Sequence, residues 1–176
     1  IFLNGKGEEL DRAVGYKDKE DFLEILNNVL NDHDTFKSLS EKYYKGNNDS
    51  DLIDKLSLKS DERQDDILST ELYLKVLNND INFNKDVYER ALYFFAKKEL
   101  KNNNPKKMMT FILENANSKE SKKIGPAYMD LIRYYASIND TIKEVDTYLE
   151  MVNIFVDSDA IPLKNKPSFL NSYAWR

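Results

Sequence analysis

Residues 124–156, IGPAYMDLIRYYASINDTIKEVDTYLEMVNIFV, contain two amphipathic patterns separated by a short polar break. Each pattern places apolar residues at the spacing of one helix face. The first stripe holds Tyr128, Leu131, Ile132, Tyr135 and Ile138, and the second holds Ile142, Val145, Tyr148, Leu149, Val152 and Val156. The break, Asn139-Asp140-Thr141, allows only a tight reversal, and the Asp140 carboxylate can cap the second helix. The stretch therefore predicts an antiparallel helical hairpin.

A single helical hairpin cannot bury both of its faces, so it needs neighbours of the same kind. The preceding chain supplies them as further amphipathic stretches with polar caps. We expect helices over residues 34–45, around Leu52, Ile53 and Leu56, after a cap at Ser60 or Asp61, after Asn84, and after Pro105. A last helix is expected after Ser168, with Phe169, Leu170, Tyr173 and Trp175 closing the end of the stack. The sequence thus predicts at least six helices, and no strands, after Asp34.

The composition supports a helical fold and excludes several classes of function. Only 5 Gly and 4 Pro interrupt a chain that carries 11 Tyr and 9 Phe, a balance typical of packed helices. The net charge of -5 argues against a general nucleic-acid binder, which needs a basic surface. No apolar run reaches the roughly 20 residues of a membrane span. With 0 Cys, the chain has no disulfide and no thiolate chemistry.

The first residues follow a different pattern, that of a β-hairpin. Ile1-Phe2-Leu3 is a short apolar strand, Asn4-Gly5-Lys6-Gly7 is a turn signal, and a second run returns as far as Val14. After Gly15-Tyr16, Asp18 can cap a helix whose apolar stripe holds Phe22, Leu23, Leu26, Val29 and Leu30. The sequence therefore predicts the order strand, turn, strand, helix.

This order, with Phe2 to Leu10, Arg12, Val14, Gly15, Tyr16, Phe22, Leu23 and Leu26, resembles the C-terminal third of a thioredoxin-like domain. The resemblance covers residues 1–33. The family's Cys-x-x-Cys and cis-proline would lie upstream of Ile1, so none of its catalytic residues can be assigned to this chain. The resemblance implies that the chain is the C-terminal part of a longer protein, and it points to a bacterial periplasm or cell envelope.

A weak internal repeat lies in residues 34–176. Tyr88-x-x-Ala91-x-x-x-Phe95 recurs 40 residues later as Tyr128-x-x-Leu131-x-x-x-Tyr135, and Met108 and Tyr148 occupy matching places in the following helices. The pattern resembles the first helix of a tetratricopeptide (TPR) unit. Ile132 and Glu144 depart from the family's Gly and Ala positions. We therefore expect a mostly α fold of TPR-like antiparallel helical pairs, preceded by the β-hairpin and helix of a thioredoxin-like remnant.

The candidate site residues are the aromatic and methionine side chains that could line a partner groove: Tyr88, Phe95, Met108, Tyr128, Tyr135 and Tyr148. At helical spacing the favoured interpretation of the same residues is hydrophobic core. No catalytic, metal or cofactor site is predicted. Asn47-x-Asp49-x-Asp51 has the opening spacing of an EF-hand, but Leu58 stands where a bidentate Glu is required. A helix-capping loop is the favoured interpretation of that stretch.

Two functions remain open on the sequence. The first is a non-catalytic helical module that binds a protein or peptide, attached to a thioredoxin-like domain. The second is the C-terminal half of a thiol-disulfide oxidoreductase whose redox motif lies upstream. In either case the hairpin edge formed by Ile1, Phe2 and Leu3 would expose unpaired backbone groups. We expect that edge to pair with upstream strands, to form a homodimer with a second copy, or to dock on the helix after Asp18.

Overall fold

The computed structural model describes residues 1–78, 83–115 and 121–156, and these contain eight α-helices and one small two-stranded antiparallel sheet. The strands are β1 (Phe2–Leu3) and β2 (Glu9–Asp11). The helices are α1 (Lys19–Leu30), α2 (Phe36–Tyr44), α3 (Ser50–Arg63), α4 (Asp66–Leu77), α5 (Lys85–Lys101), α6 (Lys106–Asn115), α7 (Ile124–Ser137) and α8 (Thr141–Val156). The prediction of a mostly helical fold is confirmed. After Asp34 the described residues contain seven helices and no strand.

The chain divides into two compact units, Ile1–Val87 and Tyr88–Arg176. The predicted domain boundary between residues 33 and 34 lies inside the first unit. In both units the main helix contacts join neighbours in sequence: α2 with α3, α3 with α4, α6 with α7, and α7 with α8. The last helix expected after Ser168 lies outside the described residues.

The hairpin forms where the sequence predicts it. Asn4 organises the turn, because its side-chain Oδ1 accepts hydrogen bonds from the backbone N–H of Lys6 (2.9 Å) and Glu8 (3.0 Å). Gly7 takes the positive φ of 78° that the reversal requires. Phe2 pairs with Asp11 and Leu3 with Glu9, so β2 carries one extra residue, a bulge.

Polar side chains begin several helices at the predicted places. Asp18 accepts a hydrogen bond from the backbone N–H of Asp21, Asn84 from that of Val87, and Asp140 from that of Lys143. Asp49 caps α3, bonding to the backbone N–H of Leu52. These bonds satisfy donors that the first helical turn leaves unpaired.

The predicted helix start at Ser60 or Asp61 is wrong. One helix, α3, runs through both residues, and the chain reverses at Gln64, whose φ of 58° is left-handed. Asp65 then caps α4, bonding to the backbone N–H of Leu68. Ser60 is buried inside the joint, where it accepts a hydrogen bond from the Ser69 hydroxyl at 3.0 Å. A left-handed residue here is normally Gly or Asn, so Gln64 gave no signal of a helix end.

The stripe predicted for α8 is also partly wrong. Tyr148 and Val152 are buried as expected, but Ile142, Val145 and Leu149 are 76%, 42% and 39% exposed. The buried face of α8 is instead completed by Thr147 and Met151. The contact with α7 selects this face, and Ile142, Val145 and Leu149 remain on the surface.

Candidate functional site

The six candidate groove residues are divided between core and surface. Met108, Tyr128, Tyr135 and Tyr148 are at most 6% exposed and belong to one hydrophobic cluster of the second unit. Phe95 is half-buried, and its ring meets that of Phe94 edge-on with centroids 5.3 Å apart. Tyr88 is 40% exposed, so the expectation that it is largely buried is wrong. The structure therefore brings four of the six together, as core packing.

Hydrogen bonds and burial fix the tyrosines of the second unit in place. The Tyr93 hydroxyl on α5 donates to Asp130 Oδ2 on α7 at 2.6 Å, and burial together with this bond raises the pKa of Tyr93. Burial, with Glu150 nearby, raises the pKa of Tyr128 to about 12. Phenols with such values stay protonated near neutral pH, so these groups act as hydrogen-bond donors and packing elements.

The start of α7 is held by a residue from α5. α7 has no capping side chain of its own at Lys123. The buried carboxylate of Glu89 accepts a hydrogen bond from the Lys123 backbone N–H at 3.1 Å and another from the Ser121 hydroxyl. A negative charge at this position also complements the positive end of the helix dipole. Glu89 of α5 therefore supplies the cap that α7 lacks at Lys123, and so links the two helices.

The surface of the second unit carries apolar side chains at helical spacing. On α6, Met109 and Leu113 are 44% and 75% exposed. On α8 the exposed residues are Ile142, Val145 and Leu149, which we call the α8 stripe. Because an amphipathic helix normally turns its apolar stripe toward a neighbour, these residues mark surface that is available for contact.

The first unit contains a charged cleft of about 350 Å³ between α1 and α3. Its lining residues are Arg12, Lys17, Asp21, Glu24, Ile25, Asn28, Asp34, Lys55, Leu58, Lys59 and Glu62. Lys17 pairs with Glu62 at 2.9 Å, and Lys55 pairs with Asp34 at 2.7 Å. The hydrogen bonds from Lys55 to Asp34 and Asp51 raise the pKa of Lys55. The lysines of the cleft are thus neutralised by carboxylates of the same unit, and the cleft offers little net charge to a ligand.

Beside the cleft, ion pairs hold β2 against α3. Arg12 donates two 2.7 Å hydrogen bonds to Glu9, which also accepts one from Arg63. Lys59 lies 2.5 Å from the buried carboxylate of Asp11, and Arg63 stacks 3.8 Å over the Phe36 ring. We call Glu9, Asp11, Arg12, Lys59 and Arg63 the β2–α3 ion-pair network. Sequence reasoning missed it. The sequence did contain a signal for it. Glu9 and Asp11 are two residues apart on a strand, and Lys59 and Arg63 are four residues apart on a helix. Each pair therefore lies on one face of its element.

The outer side of the hairpin is exposed. Within the described residues β1 pairs only with β2, and Ile1 and Leu3 are 75% and 58% exposed. Phe2 points to the other side and packs on Phe22 of α1, with ring centroids 6.3 Å apart. α1 itself buries none of its residues completely, and Leu30 is 76% exposed.

Two kinds of site are absent from the part of the chain that the structure describes. No group of three or more His, Asp or Glu side chains there is arranged to hold a metal ion. None of the described helices has the length and apolar character needed to cross a membrane. Comparison with known proteins gave no match to a family model, a curated protein or a solved structure.

Proposed function

We propose that this chain is a non-catalytic protein-interaction module, built from TPR-like antiparallel helical pairs. The observation that carries the proposal is the set of apolar side chains exposed at helical spacing on α6 and α8. The core of the second unit already contains the aromatic residues Phe111, Tyr128, Tyr135 and Tyr148, so the exposed aliphatic residues are not needed to complete it. Apolar groups on a helix surface gain free energy when a partner removes them from water.

The α7–α8 pair supports this organisation. α7 and α8 form the hairpin predicted from residues 124–156, and α7 also packs on α6. Met108 and Tyr148, which occupy matching places in the repeat, are both buried. Tyr88 and Tyr128 match in sequence but differ in burial, at 40% and 2% exposed. The proposal is therefore of irregular TPR-like units and not of consensus repeats.

A photo-crosslinking experiment tests the proposal. p-Benzoylphenylalanine is placed singly at Leu113 or Ile142, both exposed apolar positions, and at the exposed Lys101 of α5 as a control. The full chain is expressed in its source cells and irradiated. We expect a discrete adduct with another protein from at least one apolar position and none from Lys101. A chain that yields no protein adduct from either apolar position, or the same adducts from all three, is not acting as such a module.

We further propose that β1, β2 and α1 are the last elements of a thioredoxin-like domain. The order of elements, the contact between Phe2 and Phe22, and the exposed Ile1 and Leu3 support this, because an inner strand of a larger sheet would have such an uncovered edge when taken alone. Hydrogen exchange of residues 22–30 in the product of the complete reading frame that contains this sequence tests it. Slower exchange than in this chain is expected, and equal exchange contradicts the proposal. Reduction of insulin by that product would instead favour the oxidoreductase alternative.

A further inference from the structure

The exposed stripe of α8 has the geometry of a docking face for another helix. Its residues Ile142, Val145 and Leu149 stand at positions i, i+3 and i+7, so they span two turns, about 10 Å along the helix axis. They lie beside the face that packs on α7, which includes Tyr148 and Val152. α8 therefore has two apolar faces, of which α7 covers one. A second apolar face at this spacing fits the stripe of another amphipathic helix.

The other side of the stripe carries negative charge. Asp146 and Glu150 stand four residues apart, hence on one side of α8, and both are exposed. Neither has an ion-pair partner among residues 1–78, 83–115 and 121–156. The nearby Lys143 is already held by Asp140 at 2.8 Å. A helix docked on the stripe would meet these two carboxylates at its edge.

This charge pattern selects among the occupants that an apolar stripe could accept. A second copy of α8, packed antiparallel about Val145, would bring the two Asp146 carboxylates close together. The net charge of -5 on each chain would add to that repulsion. A helix that carries Lys or Arg beside its apolar stripe would instead form ion pairs with both carboxylates.

We propose that the α8 stripe binds an amphipathic helix of a protein partner that carries Lys or Arg next to its apolar face. This inference rests on the proposed interaction function and specifies the partner class and the surface. The apolar residues provide most of the contact area, and Asp146 and Glu150 select a basic edge. Binding of this kind weakens as salt is added, since the ion pairs lie at the rim of the contact.

Binding of synthetic helices to the full chain tests the inference. The probe is a fluorescent amphipathic helix of about four turns with Leu on its apolar stripe and Lys beside it. A second probe has Glu in place of each Lys. We expect the chain to bind the Lys probe about tenfold more tightly than the Glu probe at low salt. The double variant Asp146→Lys, Glu150→Lys should reverse that preference, and equal binding of the two probes by the unaltered chain would overturn the inference.

A matched pair of apolar variants locates the site. Ile142→Asp should weaken binding of the Lys probe about tenfold, because it puts a charge on the apolar contact surface. Leu113 on α6 is 75% exposed, close to the 76% of Ile142. Leu113→Asp is therefore a matched control and should leave binding of the Lys probe unchanged. If Leu113→Asp abolishes binding and Ile142→Asp does not, the module proposal stands and the α8 assignment fails.

The same photo-crosslinker at Ile142 identifies the occupant. With the Lys probe present, an adduct to the probe supports the inference. A crosslink that joins Ile142 to residues 157–176 of its own chain, or to a second copy, would overturn the assignment to a partner helix. The mass of each adduct, measured by mass spectrometry after proteolysis, distinguishes these outcomes.

Discussion

The attachment of β2 to α3 and the packing of α7 on α8 hold their elements together by different means. The first uses the β2–α3 ion-pair network, in which Asp11 is 1% exposed and lies against Lys59. The second uses apolar and aromatic contacts around Ile132, Tyr135 and Tyr148. Ion pairs are directional, and they weaken in acid because carboxylates become protonated. Apolar burial is non-directional and does not depend on protonation. The hairpin is therefore attached in a defined orientation and in a pH-dependent way, and the α7–α8 pair is held by burial.

The same difference determines which residues of each part remain exposed and available to a partner. The network uses the charges of the hairpin within the first unit, while the apolar side of the hairpin stays exposed at Ile1 and Leu3. In the second unit the aromatic residues are used in the core, and aliphatic residues remain on the α8 stripe. In both parts the surface available for a partner consists of the residues that internal packing does not use.

The largest effect is expected from opening the apolar core. Ile132→Ala removes buried methyl groups from a side chain that is 1% exposed, and should lower the free energy of unfolding by about 2 to 5 kcal/mol. Leu113→Ala, on the surface of the same unit, should change it by less than about 0.5 kcal/mol. Urea denaturation followed by circular dichroism measures both. Equal effects would mean that the α7–α8 contact does not stabilise the unit.

Breaking the ion-pair network should have the next largest effect. Lys59→Met removes the nearest ion-pair partner of the buried Asp11 carboxylate and leaves the Arg63 guanidinium 3.7 Å away, and should cost about 2 to 4 kcal/mol. Lys55→Met, which removes a more exposed lysine from its ion pairs, should cost less than about 1 kcal/mol. Adding Asp11→Asn to Lys59→Met should restore part of the loss. If the double variant is no more stable than Lys59→Met, the uncompensated charge is not the cause.

A single polar contact within the second unit, between Glu89 and the start of α7, allows a finer comparison. Glu89→Gln keeps the size of the side chain but removes the charge at the start of α7, and should cost about 1 to 2 kcal/mol. We expect the loss of stability to be local and to appear as faster hydrogen exchange in the first turn of α7. Glu150→Gln, an exposed carboxylate on α8, is the control and should change neither quantity. Loss of stability without faster exchange in α7 would contradict the capping role.

The smallest effect is a pH dependence confined to the hairpin. The hydrogen bonds from Arg12, and then from Arg63, lower the pKa of Glu9 from 4.5 to about 2. Because the folded pKa is depressed, the stabilisation is complete above about pH 5 and is lost as the pH falls from 4.5 toward 2. We expect the stability difference between the unaltered chain and Glu9→Gln, about 1 kcal/mol at pH 6, to shrink over that range. A difference that stays constant between pH 6 and pH 3 would show that Glu9 does not contribute through its charge.

Local patterns determined most of the secondary structure. Asp18, Asn84 and Asp140 begin helices as predicted, because a cap bonds to backbone only three residues away. Asn4 and Gly7 likewise fix the hairpin turn within a few residues. Where the local signal was missing, as at Gln64, the predicted boundary was wrong.

The exposure of the α8 stripe and the pairing in the β2–α3 ion-pair network depended on contacts between residues that are distant in sequence. The spacing of Ile142, Val145 and Leu149 identifies an apolar stripe on α8, as does that of Tyr148 and Val152. Which stripe becomes core depends on how α7 approaches, and that approach is a tertiary contact. Glu9 and Asp11 meet Lys59 and Arg63 across about fifty positions, 54 between Glu9 and Arg63, and no local pattern specifies such a separation. The sequence alone determined where most of the described helices begin and which residues are apolar, because those depend mainly on neighbours in the chain. The tertiary structure alone decided which apolar residues are buried and which charges are paired, because those depend on residues distant in sequence.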